Sequence, residues 1–188
     1  MNKITTYIFI GIIVIVGAFY VFKNEIDNDQ QAYLADDPRD GEYLFSGKPV
    51  RLVDGISRTP IAEGSASMRT IQYFGNEVVA DIDNDGDDDV AFLITDDSGG
   101  SGTFFYLAGA IKEDGGYSWT QAMLIGDRIA PQTTEFRDGL IIVNYADRAP
   151  GEAMTIQPSI GKSLYVKYDP MDRQFGEVVQ NFEGESNL

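Results

Sequence analysis

Cysteine and histidine are both missing from this 188-residue chain. Without cysteine there are no disulfides, no thiolate nucleophile and no cysteine-based zinc site. Without histidine the commonest general base and transition-metal ligand are gone, which removes serine triads and zinc hydrolase centres in their usual forms. A metal site in such a chain is built from oxygen, the donor set of calcium, magnesium and manganese. Positive charge is scarce as well. All 30 acidic residues and 12 of the 14 basic ones lie after residue 23, so the segment 24–188 carries a net charge of −18. Such a surface repels phosphate backbones and anionic lipid headgroups and attracts divalent cations. Nucleic acid is therefore not expected among the partners.

Apolar residues are plentiful. Hydrophobic side chains make up 43% of the chain and aromatics 12%, enough to build the core of one domain. A domain without disulfides depends on that core, on bound metal, or on both. The first apolar stretch stands apart. Residues 5–22 run for 18 residues without a charge, about 27 Å as a helix and just enough for a bilayer core. A cleavable signal peptide has an apolar region of only about 7–15 residues. Val16-Gly17-Ala18 offers a small-residue cleavage site, but the run continues through Phe22, which favours an uncleaved transmembrane anchor. Lys3 then stays in the cytoplasm and the acidic bulk is exported, giving a single-pass cell-membrane protein.

The chain divides into a cytoplasmic stub (1–4), the anchor (5–22), an acidic linker (23–41), a domain (42–176) and a flexible tail (177–188). Within the domain, segments 42–45, 50–53, 70–74, 77–82, 90–95, 103–112, 117–125, 133–136, 140–145, 164–168 and 174–179 read as strands. They are rich in Val, Ile, Tyr, Phe and Thr and separated by turn residues. Asp138-Gly139 is a hairpin signal. The expected fold is all-β, an antiparallel sandwich or a set of propeller-blade-like sheets.

Residues 81–89, Asp-Ile-Asp-Asn-Asp-Gly-Asp-Asp-Asp, carry the chemistry. Counted from Asp81, carboxylates fall at positions 1, 3, 5 and 9 (Asp81, Asp83, Asp85 and Asp89), with Gly86 at position 6. Carboxylates on alternate residues of a tight loop converge on one point. Glycine permits the sharp reversal, and the carbonyl of Asp87 adds another oxygen to the six to eight that calcium takes. An EF-hand would place a bidentate Glu at position 12, where this chain has Phe92. The apolar run Val90-Ala-Phe-Leu-Ile94 that follows reads as a buried strand, not an exiting helix. The bland alternative is a solvated acidic turn without metal.

The pattern Asp-x-Asp-x-Asp-Gly-x-x-Asp leading into an apolar strand, with Phe74-Gly75 just upstream, resembles the calcium loop of FG-GAP repeats. The resemblance implies side-chain ligation by Asp81, Asp83, Asp85 and Asp89 and backbone ligation at Asp87. Those repeats build β-propellers of at least about four blades, whereas this chain has the motif once. Over roughly 64–168 the chain also resembles a group of short, uncharacterised bacterial exported proteins. That resemblance lies in Gly64-Ser-Ala-Ser67, Tyr73-Phe-Gly-Asn-Glu77, Gly99-Gly-Ser-Gly-Thr-Phe104, the run from Gly126 to Glu135, and Val143-Asn-Tyr-Ala-Asp-Arg148. It implies a coherent domain and no particular activity.

Other candidates are thinner. Asp96 and Asp97 either reach the same ion or cap a hairpin. Ser159-Ile-Gly-Lys162 fits the spacing of serine acyl enzymes, but Pro158 and Gly161 oppose the helix which that chemistry needs. Asp127-Arg128 and Asp147-Arg148 read as salt bridges fixing turns, and Trp119 with Phe104-Phe-Tyr106 as core. The leading expectation is a membrane-tethered, extracytoplasmic calcium-binding β-domain, acting as a structural or protein- or glycan-binding module. The alternatives are a carboxylate-based envelope hydrolase, or an inhibitor or accessory factor of an envelope enzyme displaying the loop 98–102.

Overall fold

A computed structural model describes residues 37–179. The expected stub, anchor and most of the linker and tail lie outside the described residues. No helix among the described residues is long and apolar enough to cross a membrane. A short 3-10 turn at Pro38–Asp40 leads into twelve strands: β1 (Glu42–Phe45), β2 (Lys48–Arg51), β3 (Ile56–Pro60), β4 (Met68–Ala80), β5 (Asp89–Asp97), β6 (Phe104–Glu113), β7 (Gly116–Trp119), β8 (Met123–Asp127), β9 (Ala130–Arg137), β10 (Leu140–Asp147), β11 (Ile160–Asp169) and β12 (Gln174–Glu177). The fold is all-β, and the strands pair antiparallel throughout.

Strands β3-β4-β5-β6-β7 form one sheet in that order, with β8 on the same edge of β6 as β7. Strands β12-β11-β10-β9 form a second, and β1-β2 a hairpin. The central strands β5 and β6 are buried on both faces, which explains why residues 90–94 are continuously apolar instead of alternating. Ala91, Leu93, Phe105 and Leu107 face one core cluster with Ile141, Val143, Val166, Tyr168 and Phe175 of the four-stranded sheet. Val90, Phe92, Ile94, Ala108 and Ala110 face the other, with Tyr43, Phe45 and Leu52 around the β1-β2 hairpin. Fully burying a side chain such as Phe92 is worth about 1.5–3 kcal/mol. Its ring stands edge-on to Tyr43, with centroids 5.5 Å apart.

Residues 120–122 knit the sheets together. The Ala122 N–H donates to the Leu44 carbonyl at 2.8 Å and the Gln121 N–H to the Arg173 carbonyl at 3.0 Å. Gln121 thus bridges Leu44 of β1 on one side and Gln174 of β12 on the other. Beside this crossing, Gly109 lies under Phe175, where an added Cβ would sit 2.8 Å from the ring.

Several boundaries differ from expectation. Segment 117–125 is split because Gln121 and Ala122 leave β6 to make these bridges, while Thr120 still donates to the Gly109 carbonyl at 3.1 Å. Segments 70–74 and 77–82 are one strand, β4, interrupted at Gly75 and Asn76, which take positive φ where the register with β5 shifts. The dipeptide reads as a turn but is a bulge. Strand β3 was not expected; it is a mostly exposed edge strand ending in Pro60, with no apolar alternation to reveal it. Residues 38–41, upstream of β1, are hydrogen-bonded to the domain. The Tyr43 hydroxyl donates to the Pro38 carbonyl, and the Leu52 N–H to that of Gly41.

Candidate metal centre

The acidic loop connects β4 to β5, closed by the pairing of Ala80 with Asp89. Asp89 is fully buried and its carboxylate accepts from three backbone amides. Oδ2 accepts from Ile82 N at 2.8 Å and Asp83 N at 3.3 Å, while Oδ1 accepts from Lys112 N on β6 at 2.7 Å. A carboxylate offers about four acceptor sites. Three are used, which leaves one on Oδ1.

The rest of the loop coils around its own carboxylates. Asp85 N donates to Asp81 Oδ1 at 3.0 Å and to Asp83 Oδ1 at 3.2 Å, and Gly86 N donates to Asp81 Oδ2 at 3.2 Å. This coil needs left-handed backbone at Asn84 (φ 67°) and positive φ at Gly86 (102°). Glycine meets that demand without strain, and Asn tolerates its share. Ile82 points the other way, into the core cluster that holds Tyr168 and Phe175, so the loop is pinned at both ends.

Oxygens of Asp81, Asp83 and Asp89 all lie within 4.8 Å of one another, and this group could hold a metal ion. Oxygens on opposite sides of one calcium ion at 2.3–2.6 Å stand about 4.6–5.2 Å apart, so the spacing fits a shared ion. The two other expected ligands flank this trio in the same loop. Asp85 lies outside the trio, its Oδ1 accepting from Asp87 N at 2.9 Å. Asp87 is exposed.

Charge here is uncompensated. Six Asp fall within residues 81–89 with no Lys or Arg, and none of the ion pairs among the described residues involves them. Lys112 lends its amide, while its ammonium lies over the Tyr117 ring, 4.7 Å from the centroid. Burial, followed by repulsion from Asp89 and Asp85, raises the Asp83 carboxyl above its ordinary range. Burial also raises Asp89, against the opposing pull of its three amides. Both shifts mark a site that disfavours bare negative charge.

The neighbouring candidates resolve into structural roles. Asp96 forms a two-pronged pair with Arg69 (2.9 and 2.7 Å) and Asp97 caps the turn through Gly99 N (2.8 Å), both at the far end of β5 from the loop. Asp127 pairs with Arg128 at 2.8 Å as read, but Asp147 pairs with Lys162 at 2.7 Å, and the Arg148 guanidinium donates instead to the Ile156 and Arg128 carbonyls. Ser159 precedes strand β11, so Ser159 and Lys162 do not share a helix. Phe105 is core, but Phe104 is partly exposed. Asp37 and Glu77 line a separate groove; Arg39 beside Asp37 holds that carboxyl below its ordinary range, and Glu77 accepts from the Tyr73 hydroxyl. The contribution of Lys112 escaped the sequence because any residue but proline supplies a backbone N–H.

Comparison of the chain with family models, with curated proteins and with solved structures returns no match.

Proposed function

We propose that this chain is a membrane-tethered, extracytoplasmic β-domain with an FG-GAP-like calcium loop, acting as a structural or protein- or glycan-binding module. Asp81, Asp83, Asp85 and Asp89 ligate through side chains and Asp87 through its carbonyl. The observation that carries the reading is the convergence of Asp81, Asp83 and Asp89 within 4.8 Å, in a loop whose amides already aim those carboxylates inward. An oxygen-only donor set suits calcium, and a divalent ion would offset charge that no basic side chain meets. A glycoside hydrolase instead keeps its two carboxyls about 5–10 Å apart across a bound sugar. The layers stacked on either side of β5 and β6 favour the sandwich form of the expected fold over a ring of blades. The uncharged run 5–22 supports the tether.

Calorimetric titration of calcium into the full chain, held in detergent, tests the site. One site with a dissociation constant of about 0.1–1 mM is expected, in the range of extracellular modules, and none in Asp81→Ala/Asp83→Ala. Absence of binding in the unsubstituted protein would overturn the reading. The tether is tested by alkaline carbonate washing of membranes, which should leave the chain in the pellet; release into the supernatant would contradict it.

A further inference from the structure

We propose that the cavity where the β1-β2 hairpin, β8 and β12 meet binds a neutral saccharide unit. The cavity measures about 340 Å³ and its walls include Ser46, Tyr106, Gln121, Met123, Gln174 and Phe175. That volume lies within the range of small-molecule sites, about 300–1,000 Å³. The inference deepens the binding-module reading by naming a ligand class, and it involves none of the metal-loop residues.

Three features select the ligand. No lining residue is charged, in a chain whose net charge of −16 repels anions. The half-buried side chains of Gln121, Gln174 and Tyr106 make no hydrogen bond within the described chain. Each carboxamide therefore presents two donors and an acceptor, and the phenol one of each. Sugar hydroxyls, which both donate and accept, match that set. Met123 and the exposed Leu124 supply apolar surface for the C–H face of a ring.

An extended peptide fits less well. Peptides commonly dock by adding a strand to a free sheet edge. Here the facing edges of β1 and β12 are already bridged through Gln121.

The test is saturation-transfer NMR on the full chain in a detergent without a sugar headgroup. The probes are glucose, galactose and N-acetylglucosamine, with glucuronic acid as the charged control and trialanine as the peptide control. Transfer to at least one neutral sugar is expected, exceeding that to glucuronic acid. Affinity should fall about tenfold or more in Gln174→Met and in Gln121→Met, with melting temperature unchanged. Gln174→Met serves alone if Gln121→Met fails to fold. No transfer to any neutral sugar, binding unchanged in the folded variants, or preference for trialanine would each overturn the proposal. Calcium titration of the same sample separates the two readings. Sugar binding without calcium binding rejects only the metal site, and calcium binding without sugar binding rejects only the cavity.

Discussion

Asp89 and Lys112 meet through a backbone amide and not through their charges: Lys112 N–H donates to Asp89 Oδ1 at 2.7 Å, while the Lys112 ammonium sits over Tyr117. The buried carboxylate thus ties the acidic loop to β6 whatever residue but proline occupies position 112. Asp89→Ala leaves three amides without their acceptor. It should cost roughly 3 kcal/mol or more in calcium-free protein, since hydrogen bonds to a charged group are worth about 1.5–3 kcal/mol each. Lys112→Ala keeps the amide and should cost about 1 kcal/mol or less. Urea midpoints of the two variants measure the difference, and equal losses would contradict the assignment.

The pH response of the calcium-free protein follows from two raised carboxyls. Between the ordinary value of 3.8 and the raised values of Asp83 and Asp89, the folded state binds more protons than the unfolded one. These two groups therefore add stability as pH falls through that window. Asp147, held low by its pairing with Lys162, acts in the opposite sense. Its contribution is present above 3.8 and disappears as pH falls through its lowered value. With calcium bound, protons compete with the ion. Melting temperatures measured against pH with and without calcium should converge on acidification, and Asp83→Asn should flatten the rise in the calcium-free curve. Parallel curves would contradict the account.

Asp96 and Arg69 form a two-pronged pair in which the Asp96 side chain is only 6% exposed. Asp96→Ala should destabilise the domain by about 1–3 kcal/mol, because Arg69 loses its acceptor. Calcium affinity should be unaffected, since Asp96 stands at the other end of β5. A changed affinity in calorimetry would return Asp96 to the metal site.

Gly109 of β6 packs against Phe175 of β12 with no room for a side chain. In Gly109→Ala the new methyl would lie 2.8 Å from Phe175 Cζ and 3.2 Å from Thr120 Cγ2. Overpacking of this kind costs about 1–3 kcal/mol. Phe175→Leu in the same chain should recover part of the loss in urea unfolding, and a purely additive double variant would argue against the clash.

The loop was legible because its signal is local. Alternate Asp residues and one glycine encode a coil that gathers carboxylates, and Asp81, Asp83 and Asp89 are gathered. The double-sided burial of β5 was written in the unbroken run 90–94, and Asp138–Gly139 joins β9 to β10 as that dipeptide should. What stayed hidden depends on distant partners. Gln121-Ala122 leaves β6 because Arg173 and Leu44 receive its amides. Gly75-Asn76 bulges where a turn would read the same.

The most direct test of the central claim is the melting temperature of the full chain in detergent, in chelator and in saturating calcium. At ten times the dissociation constant, ligation adds about 1.4 kcal/mol, or roughly 3–6 °C for a chain of this size. The account predicts that rise in the unsubstituted protein and none in Asp81→Ala/Asp83→Ala. The same melting temperature with and without calcium in the unsubstituted protein would contradict it.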